Sequence, residues 1–275
     1  MKRTILTLVI ACCACSIATA QKHDTITTAS GLKYYLTKKG SGRMIKPGEV
    51  AVWHYTLTLA DGSKIDDSRK NNSPLGFAVP TDGLIKGTVE ALMLMHVGDR
   101  GVFIVPPSLG YGRRGFDAGG SLPAIPPNAT LYFDMELVDI KKAALLDTLE
   151  KALFKQPVSD TSTPRTDAVI ALYKSYKQKK FADMFTSDND LNTIGYELLQ
   201  RFPNEAIKIF LLNVEEYPKV GNVYDSLGEG YMNISDFDKA ILNYEKSLQI
   251  DPGNTNAVEK IKQMKAKRAK SVLQM

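Results

Sequence analysis

Tyr111 stands between Gly110 and Gly112 at the head of a glycine-rich stretch, Gly110 to Leu137, that runs through Ile125-Pro126-Pro127 into an alternating strand. Glycine permits positive φ and the prolines stiffen the exit. The stretch reads as a flap and one wall of an apolar pocket. Several chemistries are open to it. A phosphate cradle could draw on the glycines with Arg113 and Arg114, but the stretch has no GKS or GKT ending and no strand-to-helix context, so it lacks the lysine and the helix dipole of that mechanism. His23, His54 and His96 form no ligand spacing on one element, and Cys12, Cys13 and Cys15 all lie near the N-terminus, so no metal is expected. A hydrolase needs a nucleophile beside a base, and no such arrangement is found. No cofactor is implied. A tethered lid over a buried face suggests binding, and the stretch by itself leaves the bound group open.

Such a pocket needs a sheet and something to lie across it. From Val50 to Leu59 the odd positions Ala51, Trp53, Tyr55, Leu57 and Leu59 make an apolar face at period two, and Leu131, Phe133, Met135 and Leu137 do the same. Leu32 to Leu36, Gly76 to Val79 and Val102 to Val105 read as further strands, with turns at Lys46-Pro47-Gly48-Glu49, Asp61-Gly62 and Val97-Gly98-Asp99. One helix is expected after Gly87. Thr88 reads as its cap, Glu90 as a complement to its N-terminal dipole, and Val89, Leu92 and Met93 as its stripe. One helix against several antiparallel strands is an α+β arrangement.

Six blocks sharpen this reading. They are Trp53-His54-Tyr55-Thr56, Asp61 through Ser68, Leu84-Ile85-Lys86-Gly87, Val97-Gly98-Asp99, Leu109-Gly110-Tyr111-Gly112, and Ile125-Pro126-Pro127 through Phe133. In this order they resemble the FKBP-type peptidyl-prolyl isomerases, over Gly31 to Lys141. The resemblance implies an antiparallel half-barrel sheet wrapped around one helix, with a proline site between them. Carried over position by position, it implies that Tyr55, Asp66, Ile85, Tyr111 and Phe133 carry catalysis. Ile65, Phe77, Leu84, Thr88, Phe116 and Ile125 are implied as substrate-binding, with the Tyr111 hydroxyl and the Ile85 N–H bonding peptide carbonyls. Where the family commonly floors the pocket with tryptophan, this chain has Thr88, and its single tryptophan, Trp53, lies in a strand. The flap is also longer than in minimal members, with Arg113 to Pro123 added or altered.

Taken singly, these residues also have a bland reading. Tyr55, Phe77 and Phe133 suit the core of any small sheet domain. Asp66 suits a loop carboxylate bonding its neighbours. His54 suits an ordinary hydrogen-bonded strand residue.

The two ends of the chain of 275 residues read differently. Lys2 and Arg3 precede an apolar run, Ile5 to Ala14, and Ala18-Thr19-Ala20 has the small-x-small pattern of a signal cleaved after Ala20. Export, to a periplasm, is expected. Lipid anchoring through Cys12 is the alternative. Removing Lys2 and Arg3 from the formal +5 leaves +3, too mild to imply nucleic acid. No later run approaches the roughly 20 apolar residues of a membrane span.

Past Ile140 the apolar period becomes helical, and Gln156 to Arg165 reads as a linker. From Thr166 to Met275, Ala206, Phe210 and Pro218 recur as Ala240, Tyr244 and Pro252, each 34 residues on. That is tetratricopeptide spacing, with repeats near 187–220 and 221–254 and a capping helix at 255–270. The expected function is isomerisation of X-Pro bonds in unfolded or nascent exported proteins, with the repeats docking clients or a partner. The alternative is a feebly catalytic binding module that acts as a holdase or scaffold through the repeats.

Overall fold

The computed structural model describes residues 24–70, 72–117, 119, 122–155 and 162–272. The stretch read as a signal, with Cys12, Cys13 and Cys15, and residues 156–161 lie outside the described residues. The N-terminal elements are β1 (Ile26–Thr27), β2 (Lys33–Lys38), β3 (Val50–Thr58), β4 (Lys64–Asp67), β5 (Leu75–Ala78), α1 (Lys86–Leu94), β6 (Arg100–Val105) and β7 (Leu131–Lys141). They form a seven-stranded sheet in the order β1-β2-β6-β7-β3, beyond which β4 and β5 both pair with β3. Its pairs are antiparallel. Period two places Leu131, Phe133, Met135 and Leu137 on one buried face of β7, and Ala51, Trp53 and Leu57 join them from β3. Ala91, Leu92 and Met95, from α1 and its end, pack into the same core, so the helix lies across this face.

Helix α1 departs from the sequence reading at its first turn. Ile85, extended at φ −62 and ψ 146, holds the N-cap position without a side-chain cap, and Thr88 sits inside the helix with only 4% of its surface exposed. Thr88 is therefore a buried helical residue and not the cap. Glu90 lies beyond the first turn, where its Oε2 accepts from the Ser30 hydroxyl at 2.6 Å. The turn after α1 is held by Asp99, a buried carboxylate that accepts from the N–H groups of Gly40 and His96 at 2.6 and 2.7 Å. Such bonds are what a buried charge requires.

After β7 come β8 (Ala143–Ala144), α2 (Leu145–Leu153), α3 (Thr166–Gln178), β9 (Met184–Phe185), α4 (Asp190–Leu199), α5 (Pro203–Glu216), α6 (Gly221–Asn233), α7 (Phe237–Ile250) and α8 (Thr255–Val272). An all-helical tail is thus corrected by the short parallel pair of β8 with β9. That pair serves the contact between the two parts of the molecule. Phe185 and Ala144 cluster with Val50, Val52 and Ala78 on the face of β3 and β5 opposite α1. Gly76 makes room there, since a Cβ would collide with the Phe185 ring.

Further on, one packing relation occurs twice. The Phe210 ring of α5 covers Gly195 of α4, and the Tyr244 ring of α7 covers Gly228 of α6. Ala206 and Ala240, at matching places in α5 and α7, are fully buried. Each pair ends before its proline, Pro218 or Pro252.

Asp190 opens α4 almost entirely buried, its carboxylate accepting the Ser187 N–H at 3.0 Å. Burial, more than the neighbouring carboxylates, pushes its pKa up to about 6. A native pKa above the unfolded value means that the native state holds the proton more tightly. The stability this confers is present below the unfolded pKa near 3.8 and is lost as pH rises through about 6. Asp190→Asn is therefore expected to stabilise the chain by about 3 kcal/mol at pH 8 and by less than about 1 kcal/mol at pH 4. Urea denaturation at both values checks this, and an equal gain at each would contradict it.

Candidate functional site

Between α1, β3, β4 and the flap lies a cavity of about 500 Å³ lined by Trp53, Tyr55, Leu57, Ile65, Asp66, Leu75, Leu84, Ile85, Thr88, Tyr111, Phe116, Ile125 and Phe133, among others. The sheet positions the walls. Trp53, Tyr55 and Leu57 fall at alternate positions of β3, opposite Leu137, Met135 and Phe133 of β7, so one face of this pair points into the cavity. The Tyr55 and Phe133 rings meet at 5.9 Å with a tilt of 47°. Leu84 and Ile85 arrive from the segment before α1. Because Ile85 occupies the N-cap, its own N–H stands outside the helical ladder, at the cavity edge.

Polarity is confined to a few groups. The Tyr55 hydroxyl donates to Asp66 Oδ2, and Asp66 Oδ1 accepts the Asp67 N–H at 2.7 Å. Tyr55 is fixed at its backbone as well, its N–H donating to Ser68 Oγ at 2.8 Å. That serine hydroxyl also lies 3.1 Å from His54 Nδ1, which gives His54 the ordinary bond expected of it. Burial, and then the Asp66 carboxyl, raises the pKa of Tyr55, and burial followed by Asp66 does the same for Tyr111. Both phenols therefore keep their protons at neutral pH. Tyr55 spends its proton on Asp66, whereas Tyr111 borders the opening as a potential donor.

The flap beyond Tyr111 folds back on itself. Phe116 N–H donates to Ile125 O at 2.9 Å and Ile125 N–H donates to Phe116 O at 2.7 Å. Gly115 at φ +67 permits the reversal, because a Cβ there would run into Ile125 O. The reversal lays Phe116 on Tyr111, rings 5.0 Å apart and 24° from parallel. Part of the inserted segment thereby forms an apolar roof over the cavity.

Two assignments change. Phe77 is not among the residues lining this cavity. It pairs across β5 and β3 with Ala51, and its ring leans on Trp53 at 5.9 Å, while Leu75, two residues earlier and opposite Trp53, supplies that wall. Trp53 itself went unassigned in the sequence. Only 1% exposed, it lines the same cavity as Thr88. Its position two residues before Tyr55 on one strand face was the available signal. The other residues expected at the site, Tyr55, Ile65, Asp66, Leu84, Ile85, Thr88, Tyr111, Phe116, Ile125 and Phe133, are brought together around one space. Among the described residues no group of three or more His, Cys, Asp or Glu is gathered as a metal would require.

A family model described as FKBP-type peptidyl-prolyl cis-trans isomerase matches residues 41–138. The chain is also 39% identical over 133 residues to FK506-binding protein 2 of Candida glabrata, a match covering 90% of that protein and 46% of this chain. The chain belongs to the FKBP family. It is 36% identical over 133 residues to the FKBP-type peptidyl-prolyl cis-trans isomerase FkpA of Escherichia coli K12, covering 48% of this chain and 46% of that protein. The chain thus spans less than half the length of that longer FKBP relative. The crystal structure of E. coli FkpA matches over 44% of this chain and 54% of its own at 37% identity, with a TM-score of 0.39. The helical region falls outside the segment matched to the FKBP model.

Proposed function

We propose that the protein is a peptidyl-prolyl cis-trans isomerase that turns X-Pro bonds without covalent chemistry. The observation that carries this reading is the composition of the cavity: Trp53, Leu57, Ile65, Leu84 and Ile125 in an apolar lining, aromatic walls from Tyr55 and Phe133, and one phenol donor, Tyr111, at the rim. Rotation about an amide crosses roughly 18–20 kcal/mol because it destroys resonance. A planar amide carries partial charge on its oxygen, which an apolar site solvates poorly. The twisted amide loses less on entering. Binding the twisted form better than either planar form lowers the barrier, about tenfold in rate for every 1.4 kcal/mol of difference. In this reading Tyr111 and the Ile85 N–H hold the peptide carbonyls, while the Tyr55–Asp66 pair fixes the wall. A protease-coupled assay on an X-Pro peptide tests the activity, with acceleration expected at micromolar protein; none would contradict it.

The substrates we propose are proline-containing unfolded or nascent exported proteins. The support is the small-x-small signal pattern ending at Ala20. No helix among the described residues is long and apolar enough to cross a membrane. We assign the sheet part to about 31–141, joined through 142–165 to a tetratricopeptide domain of about 166–275. That assignment is supported by the 34-residue recurrence and the repeated covering of a glycine by an aromatic ring. Its role is to dock clients or a partner protein. The holdase alternative drew on Thr88, and the presence of Trp53 at the same floor weakens it. If a variant closed at the cavity suppresses client aggregation as well as the intact chain does, the holdase reading gains.

A further inference from the structure

A second cavity, of about 400 Å³, lies between the two parts of the molecule, along β5 on one side and the start of α4 on the other. It neighbours the first cavity, with Leu75 in the lining of both. Strand β5 pairs with β3 alone, so its other edge has no strand partner among the described residues. A free strand edge is a template for an extended chain. The walls are apolar at Leu75, Phe77 and Phe185, and the charged groups in the lining are acidic, Asp147 and Asp190, with no lysine or arginine. Asp188 and Glu150 add to the negative potential felt at Asp190. Phe77, which the proline cavity does not use, is 36% exposed here.

We propose that this groove holds the client segment adjoining the proline, about four residues long to match β5, extended along the strand edge and rich in apolar and basic side chains. The proposal rests on the isomerase reading of the first cavity and deepens it. The groove would bind a proline flank tightly only where that flank is unfolded, since a helix or a paired strand cannot offer its backbone to β5. The helical part, by supplying Asp147 and Phe185, would then help to choose which proline is presented.

The test uses the full chain and fluorescently labelled peptides: an X-Pro tetrapeptide core, and the core extended on either flank by Leu-Lys-Leu-Lys or Leu-Glu-Leu-Glu. Anisotropy gives the dissociation constants, and exchange kinetics on the bare core give the isomerase activity. One lysine-bearing flank is expected to tighten binding about tenfold over the core, with the glutamate version gaining less than about threefold. Asn189→Trp, which fills the groove from α4, should remove the gain and leave activity on the core unchanged. Asp147→Lys should reverse the charge preference, and it decides the matter if the tryptophan variant fails to fold. No gain from either flank, or a gain that survives both substitutions, overturns the proposal. A core that is never accelerated, beside a flank gain that Asn189→Trp removes, would instead strike the isomerase reading and leave the groove standing.

Discussion

Replacing Trp53 by alanine is expected to lower kcat/KM for an X-Pro peptide by more than about tenfold and to cost the sheet domain about 3–5 kcal/mol. The indole is only 1% exposed and packs between Leu75 and the α1 face, so its loss opens a cavity that neighbours cannot close without moving β3. Water admitted to the floor would solvate the planar amide and erase part of the differential binding. Stability alone does not separate these effects. A swap does. Thr88→Trp by itself should overpack against Trp53 and destabilise by about 1–3 kcal/mol. Trp53→Val combined with Thr88→Trp should recover much of both losses, because the two positions border one floor and their effects are not additive. Urea denaturation and kcat/KM on the wild type, Trp53→Val, Thr88→Trp and the double variant check the cycle. A double variant no better than Trp53→Val alone would show that the indole's role is confined to the strand.

Gly195→Ala is expected to destabilise the helical part by about 1–3 kcal/mol, although alanine ordinarily favours a helix by roughly 1 kcal/mol over glycine. The added Cβ would collide with the fully buried Phe210 ring, so the overpacking outweighs the propensity. Gly195→Leu should unfold the repeat region outright. Circular dichroism at 222 nm and limited proteolysis follow the helices, while activity on a short X-Pro peptide follows the cavity. Retained activity beside lost helicity is the expected pattern, since Gly195 and Phe210 pack within the helical cluster, away from the cavity. A stabilising Gly195→Ala would contradict the packing account.

Period two was sufficient to place β3 and β7, because each runs long enough for alternation to show, and it identified the face that became the core. The motifs around Tyr55, Asp66, Ile85 and Tyr111 likewise located one space. What sequence did not reveal was contact across elements. Phe77 and Leu75 lie on the same face of β5, and only the register opposite Trp53 decides which of them reaches the cavity. Thr88 reads as a cap by residue type, yet the extended Ile85 starts the helix sooner and turns Thr88 inward. Strands β8 and β9 are two residues each and far apart in the chain, so neither has a period to read. Phe116 was legible by resemblance as a substrate-binding residue, but its stacking on Tyr111 depends on the reversal at Gly115.

The central claim is that the cavity floored by Trp53 twists X-Pro bonds and does more than hold proline. Two-dimensional NMR exchange spectroscopy on a Leu-Pro peptide, with catalytic amounts of the full chain, reads this directly. Uncatalysed interconversion takes tens to hundreds of seconds. The account predicts cis–trans exchange cross-peaks within a second of mixing for the wild-type chain, and their loss in Trp53→Ala while the helical part stays folded. Peptide shifts that report binding at the cavity, with no exchange cross-peaks at any concentration of the wild-type chain, would contradict it.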